Sequence, residues 1–582
     1  MIKFNLRTSI TTVNKYNSFS FALIFVLLNF ISAFIAEYPL FQQSGWPANH
    51  EGTAFATRTI YYANAIKAGD LIPIWAPEEN HGLGSPMPLF YPRLFNIVSG
   101  SILLMTGLIK FSLCMTFILF SIGGAYGIFM ICRELTIPRW QALIFSLAFP
   151  HLNYVYVDFI TRGAMAEYAA MCILPFLTWW SLRLIIRQEL NLSIAGLLVL
   201  CSVAHAGIAM VATFMLTFAV IIAFIAYPNK RKKIFYKLTI SSLLFAIFAI
   251  PYALLLLSFK KYFNFFMYKI YVPWDFYLPW QRYFLDDALS KKSSAGLSPQ
   301  LDFMFLYGTL LLIVAFIIFN ITKYREQKAI RIPSQDINCI IFIFCSLLFY
   351  FGLQFPFSTW FYQYIPGMDA LQFPFRLLSF ISILLVTAYI SLLQLFNSNI
   401  SRKTFWCLVL IPCAGTFIIN VSKTTPIEWI DKHKLENPTS GNWQEYTPVA
   451  PSNVRAFSAW MKHIAKLPII VHSGKPDFLS VQQSATGKFM TVNITSKNPI
   501  EITLPAIWSI NYLIIIERYE KTYKLPSFRR GFDPRICIKI PPGENKITIK
   551  YPSLSTMCQQ FFYSWLPSTT NPDNTSNNLP KI

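Results

Sequence analysis

The sequence predicts a polytopic α-helical membrane protein with a C-terminal all-β domain outside the membrane. Three observations predict this class. Of the 582 residues, 54% are hydrophobic and 13% are charged, whereas soluble domains carry roughly 25% charged residues. Apolar runs long enough to span a membrane recur until about residue 421. Beyond that point the pattern changes to short alternating runs that are separated by turn residues.

The predicted membrane domain contains eleven apolar runs of the roughly 17–25 residues that a spanning helix requires. These runs lie near residues 18–37, 111–131, 141–157, 165–186, 190–206, 208–227, 235–257, 301–321, 337–354, 376–396 and 404–421. The first run is longer than the apolar core of a signal peptide, and no A-x-A-like cleavage site follows it. We therefore expect it to be a retained anchor.

The basic residues predict the orientation of the spans. A shorter run at 94–109 is interrupted by two glycines. If it lies on the outer face without crossing, the loops "CRELTIPRW", "RLIIRQEL" and "NKRKK" all face the cytoplasm, as the positive-inside rule requires. We therefore expect an integral protein of the plasma (inner) membrane, with a cytoplasmic N-terminus and an extracytoplasmic C-terminus. The same rule explains the net charge of +22, so membrane lipid is the expected partner and nucleic acid is not.

The chain is predicted to have three parts. Residues 1–422 form a transmembrane domain with a long outer loop at 38–110. Residues 430–566, with runs such as "FMTVNITS" and "KITIKY", form an extracytoplasmic β sandwich. Residues 567–582 have the composition of a disordered tail. Of the ten cysteines, Cys537 and Cys558 fall in the β domain, where an oxidising compartment permits a disulfide. Whether they pair is left open.

The predicted topology collects ionisable residues at the outer membrane face. Asp158 ends the third span, Glu167 begins the fourth, and His205 lies in the turn between the fifth and sixth. The same face receives His50, Glu51, Arg58, Arg93, Arg162 and Arg376. Ionisable groups at membrane depth are costly and mark functional sites by default.

Most of these residues also have a structural interpretation. Arg162 and Glu167 are five residues apart and can pair, and Asp158 can cap a helix. His205 can hydrogen-bond to the backbone of its turn, and Arg376 can extend its charge to the lipid headgroups. The clustering is therefore stronger evidence for a site than any single residue.

Carboxylates beside arginines at an outer membrane face suit sugar transfer from a lipid-linked phosphate. Arginine binds phosphate as a planar fork, and an acceptor hydroxyl needs a general base such as Asp or Glu. A second carboxylate can position the acceptor or hold a divalent metal such as Mg²⁺ or Mn²⁺. The same groups would also suit a transporter of anionic lipids.

Three segments resemble those of the GT-C superfamily of membrane glycosyltransferases. The stretch "AGDLIPIWAPEENHGLGSPMPLFYP" follows the order of the superfamily's first outer loop: a "G-(x)n-P-x-W" segment, a "G-x-G-x-P" turn and an "F-Y-x-P" entry to a helix. "YVDFITRGAMAEYAAMCILP" and "LQFPFRLL" resemble the second outer loop and the "Q-F-P-W-R" motif of one branch. That branch is catalogued as membrane proteins related to 6-pyruvoyl-tetrahydropterin synthase, although this chain lacks that enzyme's zinc-binding histidines.

The resemblance implies a role for each matching residue. Glu51 would be the catalytic base and Asp158 its acidic partner, and Arg376 would contact the phosphate. The residues expected to line the substrate site are Arg162, Glu167 and His205, with His50 and Arg93 as further candidates on the same face. Relatives usually carry Asp at the first acidic position, often with histidine four residues later, where this chain has Glu51 and Phe55.

The expected function is transfer of a sugar from a polyprenyl-phosphate donor to an envelope glycan, lipid or protein acceptor. One alternative is a transporter of lipid-linked glycans, which would place charges through the membrane midplane; the spans here are apolar in their middles. A second alternative is a non-catalytic factor for glycan assembly, in which the β domain does the work.

Overall fold

The computed structural model of the protein describes most of the chain. The described residues are 15–47, 49, 51–189, 192–260, 272–284, 301–325, 334–396, 400–421, 429–436, 463–464, 469–483, 488–509, 512–518, 521–530, 533–553, 555–557 and 559. The chain divides into two compact units. The first comprises Met1–Thr53, Lys110–Phe248 and Tyr271–Leu435, and the second comprises Ala54–Ile109, Ala249–Ile270 and Glu436–Ile582. His50, Cys558 and the tail 567–582 lie outside the described residues.

Helices dominate the N-terminal three quarters of the chain. The long helices are Lys15–Phe41, Ile109–Glu134, Ala206–Ala226, Arg231–Lys260, Phe303–Arg325, Ser334–Gly352, Leu378–Phe396 and Arg402–Val421. The shorter ones are Gly52–Lys67, Glu79–Gly82, Met87–Phe90, Leu94–Thr106, Arg139–Leu147, Asn153–Tyr156, Met165–Met171, Leu174–Arg187, Ser193–Ala204, Gln281–Phe284, Thr359–Tyr364 and Lys432–Glu436.

Many of these helices are long and apolar enough to cross a bilayer. The described residues contain nine such segments, and a pair bent by 43°, Arg139–His151 with Asn153–Arg162, would make a tenth. The prediction of a mostly helical protein with helices long and apolar enough to span a membrane is confirmed, which supports a membrane protein. The predicted span 190–206 corresponds to Ser193–Ala204, whose 12 residues rise about 18 Å, less than the roughly 30 Å hydrocarbon core. The orientation of the helices stays a prediction.

The helix Leu378–Phe396 forms the centre of the first unit. It packs against Ser334–Gly352 and Phe303–Arg325, and 94% of an apolar 18-residue stretch within Pro374–Phe396 is buried. Tyr350 stacks on Phe380 with ring centroids 4.5 Å apart. The start of this central helix is therefore a rigid place from which to present a side chain.

Eleven strands are described. Two short ones, β1 (Trp46–Pro47) and β2 (Trp429–Ile430), pair in the first unit. The others are β3 (Ile470–Ser473), β4 (Phe478–Gln483), β5 (Phe489–Ser496), β6 (Ile500–Ile507), β7 (Leu513–Arg518), β8 (Lys521–Lys524), β9 (Ser527–Phe528), β10 (Arg535–Ile540) and β11 (Gly543–Lys550). They form an antiparallel four-stranded sheet, β3-β6-β10-β9, and an antiparallel five-stranded sheet, β4-β5-β11-β7-β8. The predicted C-terminal β region is confirmed.

The two sheets of the second unit share one hydrophobic core. Ile502 and Ile538 enter it from the four-stranded sheet, and Ile494 and Ile547 from the five-stranded sheet. This inward face follows from the alternation of apolar and polar residues along each strand. The segment Ala54–Ile109, which was predicted to lie in the first outer loop, contributes to the same core through Trp75, which is 3% exposed.

Candidate functional site

The second member of the bent helix pair ends in a wide π-helical turn. The helix Asn153–Tyr156 continues into the turn Val157–Arg162, which ends at Gly163 with φ +62°. A Cβ at residue 163 would lie 2.2 Å from Oδ1 of Asn49, so only glycine fits both the backbone conformation and the space. Asn49 donates its amide N–H to the carbonyl of Ile160 at 3.2 Å. Turns of this kind often occur at functional sites.

Arg162 is the centre of a buried polar cluster. Its Nη1 donates to Oδ1 of Asp158 at 2.5 Å, to Oε2 of Glu167 at 2.8 Å and to the hydroxyl of Tyr154 at 2.9 Å. The Tyr154 hydroxyl in turn donates to Oε1 of Glu167 at 2.7 Å. Each of these four residues is at most 5% exposed. The π-helical turn therefore brings together three ionisable residues that the sequence singled out.

Arg376 joins this cluster from a distant part of the chain. Its Nε lies 3.1 Å from Oε2 of Glu167, and its Nη1 donates to the carbonyl of Leu371 at 3.0 Å. The segment leading to it places aromatic rings beside both arginines: Phe375 lies 5.1 Å from Arg162, and Phe373 lies 5.1 Å from Arg376. Two guanidinium groups thus converge on one carboxylate.

The four charges of the cluster balance. Two carboxylates face two guanidinium groups, and the desolvation cost of each buried ion, several kcal/mol, is offset by charge-assisted hydrogen bonds. One acceptor is left over: Oδ2 of Asp158 is buried and has no hydrogen-bond partner among the described residues. The cluster is therefore preorganised and keeps one carboxylate oxygen available.

His205 occupies a helix start in the same unit. It precedes the helix Ala206–Ala226, and its Nδ1 accepts the backbone N–H of Ile208 at 3.2 Å. The ring is half-buried. A Cβ added at Gly207 would lie 3.3 Å from this ring and 3.8 Å from the side chain of Leu371. His205 is thus a helix cap beside the segment that carries Arg376.

The two acidic candidates differ in exposure. Asp158 is fully buried, whereas Glu51 is half-buried. Glu51 lies close enough to Asp158 for their charges to interact. Of this pair, Glu51 is the carboxylate that an incoming molecule reaches more easily. His50, which was predicted to line the substrate site, lies outside the described residues.

Arg93 belongs to the second unit. Its guanidinium lies 4.8 Å from the ring of Tyr252, and its buried Nη2 has no hydrogen-bond partner within the described ranges. Tyr62 lies in its electrostatic range, and burial raises the pKa of the Tyr62 hydroxyl, which stays protonated at neutral pH. In the same unit, Arg58 stacks on Tyr91 at 3.5 Å.

Two polar residues of this region, Tyr154 and Glu37, were not predicted as site residues from the sequence. Tyr154 lies two residues before the quoted second-loop motif, and its spacing of four residues from Asp158 indicates one helix face. Glu37, near the end of the first long helix, is 2% exposed, and both carboxylate oxygens lack a hydrogen-bond partner in the described part of the chain. An acid inside an apolar run was the available signal.

The cluster offers little to a metal ion. Guanidinium or hydroxyl groups already occupy Oδ1 of Asp158 and both oxygens of Glu167. Across the described residues, no three His, Cys, Asp or Glu side chains are grouped to hold one ion. A divalent metal at this site stays a prediction, and no step below is assigned to a metal.

Comparison with known proteins returns no relative: no family model, no curated protein and no solved structure matches the chain.

Proposed function

We propose that this protein is a membrane glycosyltransferase of the GT-C type, which transfers a sugar from a polyprenyl-phosphate donor to a hydroxyl-bearing acceptor. The observation that carries the proposal is the convergence of Arg162 and Arg376 on Glu167, beside the unpaired Oδ2 of Asp158. The cluster combines cations suited to a phosphate with carboxylates suited to a base.

The phosphate would bind to Arg376. Nη1 of this residue donates to the carbonyl of Leu371, and Nε forms an ion pair with Glu167 but no hydrogen bond among the described residues. The remaining N–H groups would donate to the phosphate. Glu167 fixes the direction of the guanidinium, so the phosphate would meet an oriented donor. Preorganised donors of this kind stabilise the charge that develops on a leaving group.

Glu51 would act as the general base, with Asp158 as its neighbour. The acceptor oxygen attacks the anomeric carbon of the donor and forms the new glycosidic bond. The bond between that carbon and the phosphate oxygen breaks, and polyprenyl phosphate leaves with the electron pair. The proton of the acceptor hydroxyl passes to the carboxylate of Glu51. The acceptor would be an envelope glycan, lipid or protein on the outer membrane face.

A second candidate is a non-catalytic role in glycan assembly. The observation that favours it is that three acceptors already saturate Nη1 of Arg162. Such a cluster would hold the bundle together without binding a substrate. The two candidates differ in whether the protein binds polyprenyl phosphate and releases sugar.

The experiment uses purified full-length protein in lipid nanodiscs. Polyprenyl phosphate binding and sugar release from a panel of polyprenyl-phosphate sugars are measured for wild type, Arg376→Ala and Arg187→Ala. Arg187 is a matched control because it also pairs with a buried glutamate, Glu134, but lies at the end of the helix Leu174–Arg187. We expect wild type and Arg187→Ala to bind and release sugar, and Arg376→Ala to lose about tenfold or more in affinity. Absence of binding in wild type would favour the assembly role.

A further inference from the structure

The first unit contains an apolar groove separate from the charged cluster. Its volume is about 450 Å³, which lies within the range of small-molecule sites. Residues from four helices line it, among them Trp180, Leu198, Ala209, Thr213, Leu216 and Phe245.

One wall of the groove is the helix Arg231–Lys260, which packs little against the rest of the protein. Only 6% of an apolar 18-residue stretch within Pro228–Leu257 is buried. Small side chains line the groove on two helices: Ala206 and Ala209 on Ala206–Ala226, and Ser241 and Ser242 on Arg231–Lys260. Side chains of this size leave a channel that the helices themselves do not fill.

The shape of the groove suits an extended chain. Along the helix Ala206–Ala226 its lining runs from Ala206 to Val220, and fourteen residues of helix rise about 21 Å. This covers about two thirds of a roughly 30 Å hydrocarbon core. A compact ligand would leave most of that length empty.

One end of the groove connects to the phosphate-binding arginine through contacting residues. Met210 lines the groove, and its sulfur lies 3.1 Å from the Cβ position of Gly367. The same loop continues to Leu371, whose carbonyl accepts Nη1 of Arg376 at 3.0 Å. An apolar chain that leaves the groove at Ala206 and Met210 would therefore emerge beside a cation.

We propose that this groove holds the isoprenoid chain of the lipid phosphate whose headgroup Arg376 binds. The inference rests on the proposed function for the headgroup and adds the position of the chain. Charge complementarity supports it, because an anion on an apolar tail needs a cation at the mouth of an apolar channel. The acyl chain of an ordinary membrane phospholipid is the competing occupant.

The test compares two phosphates that differ only in chain length. Full-length protein in nanodiscs is titrated with undecaprenyl phosphate and with geranyl phosphate. Thr213→Trp and Ser242→Trp fill the groove from two different helices, where both side chains are exposed. Ile221→Trp is the matched control, because Ile221 is 47% exposed on the same helix as Thr213 and does not line the groove.

We expect wild type to bind the long chain more tightly than the short one. Each groove-filling variant should weaken undecaprenyl phosphate binding by about tenfold or more, since the loss of two buried methylene groups already corresponds to that factor. Binding of geranyl phosphate should change by less than about twofold, and Ile221→Trp should change neither. Equal affinities for both chains in wild type, or equal effects of Thr213→Trp and Ile221→Trp, would overturn the proposal.

Two further arms separate the groove from the proposed function and from bulk lipid. A diazirine-bearing farnesol, which carries no phosphate, should label the segments around Thr213 and Ser242 even if wild type binds neither phosphate. In that case the proposed function fails, and the assignment of the groove to an isoprenoid chain is retained.

Dioleoyl phosphatidate should compete poorly with undecaprenyl phosphate. If it competes equally, the groove binds ordinary lipid and the proposal fails.

Discussion

Arg162 has the most hydrogen-bond partners of the cluster residues. It donates to Asp158, Glu167 and Tyr154, all of them buried. We predict that Arg162→Gln lowers the free energy of unfolding by about 3–5 kcal/mol, because two carboxylates lose their main cation in a buried site. Unfolding in mixed micelles measures this change. Lys546→Gln, which removes an exposed pair with Glu517, should cost less than about 1 kcal/mol, and equal costs would contradict the description of the cluster.

Glu37 contrasts with Arg162, because we expect its removal to stabilise the protein. Its carboxyl group is buried, and neither oxygen has a hydrogen-bond partner among the residues described. Burial of an unsatisfied polar group costs about 1–3 kcal/mol. We therefore predict that Glu37→Leu raises the free energy of unfolding by about that amount, measured by the same mixed-micelle titration. A loss of stability would mean that Glu37 has a stabilising partner.

At the residue scale, part of the site could be predicted from the sequence. Asp158, Arg162 and Glu167 were predicted because charged side chains are costly at a membrane boundary. Tyr154 was missed because a tyrosine carries no such cost. Glu37 was missed because a single acid near the end of an apolar run does not change the prediction of a span.

The π-helical turn Val157–Arg162 is the element that carries Asp158 and Arg162 of the buried cluster. Gly163 ends it with φ +62°, and Asn49 occupies the space of a Cβ. We predict that Gly163→Ala destabilises the protein by at least about 1–2 kcal/mol, the ordinary cost of a left-handed alanine, with further loss from the displaced Asn49. The apparent melting temperature of the purified protein measures this change.

Gly196 is the matched control for that prediction. It lies within the helix Ser193–Ala204, and a Cβ there would contact nothing within 4 Å. Gly196→Ala should therefore stabilise the protein by about 0.5–1 kcal/mol. If both substitutions shift the melting temperature in the same direction, backbone strain at Gly163 is not the cause.

Elements were predicted unevenly from the sequence. Helices and strands are local patterns, so hydropathy located the long helices and alternation located strands such as β5 and β11. The π-helical turn was not predicted, because its widening depends on contacts with Asn49 from another part of the chain. The short helix Ser193–Ala204 was read as a full span because apolar residues continue past its end.

At the scale of the whole molecule, the segment Ala54–Ile109 and the β region belong to one unit. Trp75 of this segment is buried and makes an edge-to-face contact with Tyr512 at 5.4 Å. We predict that Trp75→Ala costs about 3–5 kcal/mol and makes the segment 463–557 more sensitive to proteases. Limited proteolysis measures this change. Trp280→Ala, at a side chain that is 51% exposed, should leave the digestion pattern unchanged.

Long-range convergence could not be derived from the sequence. Orientation and loop charge predicted that Arg376 and Glu167 share a membrane face, but their 3.1 Å approach depends on the packing of two helices far apart in the chain. The groove could not be derived from the sequence either, because it is lined by residues of four different helices. Hydropathy reports which residues avoid water and not which helices touch.

The proposed sugar transfer at the buried cluster depends on Glu51 as the base. The most direct test is single-turnover sugar release by wild type and Glu51→Gln, each with bound polyprenyl-phosphate sugar. We predict that Glu51→Gln binds the donor with wild-type affinity and releases sugar about 10²–10⁴-fold more slowly, because only proton transfer is lost. Equal release rates in the two proteins, or no release by wild type from any donor of the panel, would contradict the account.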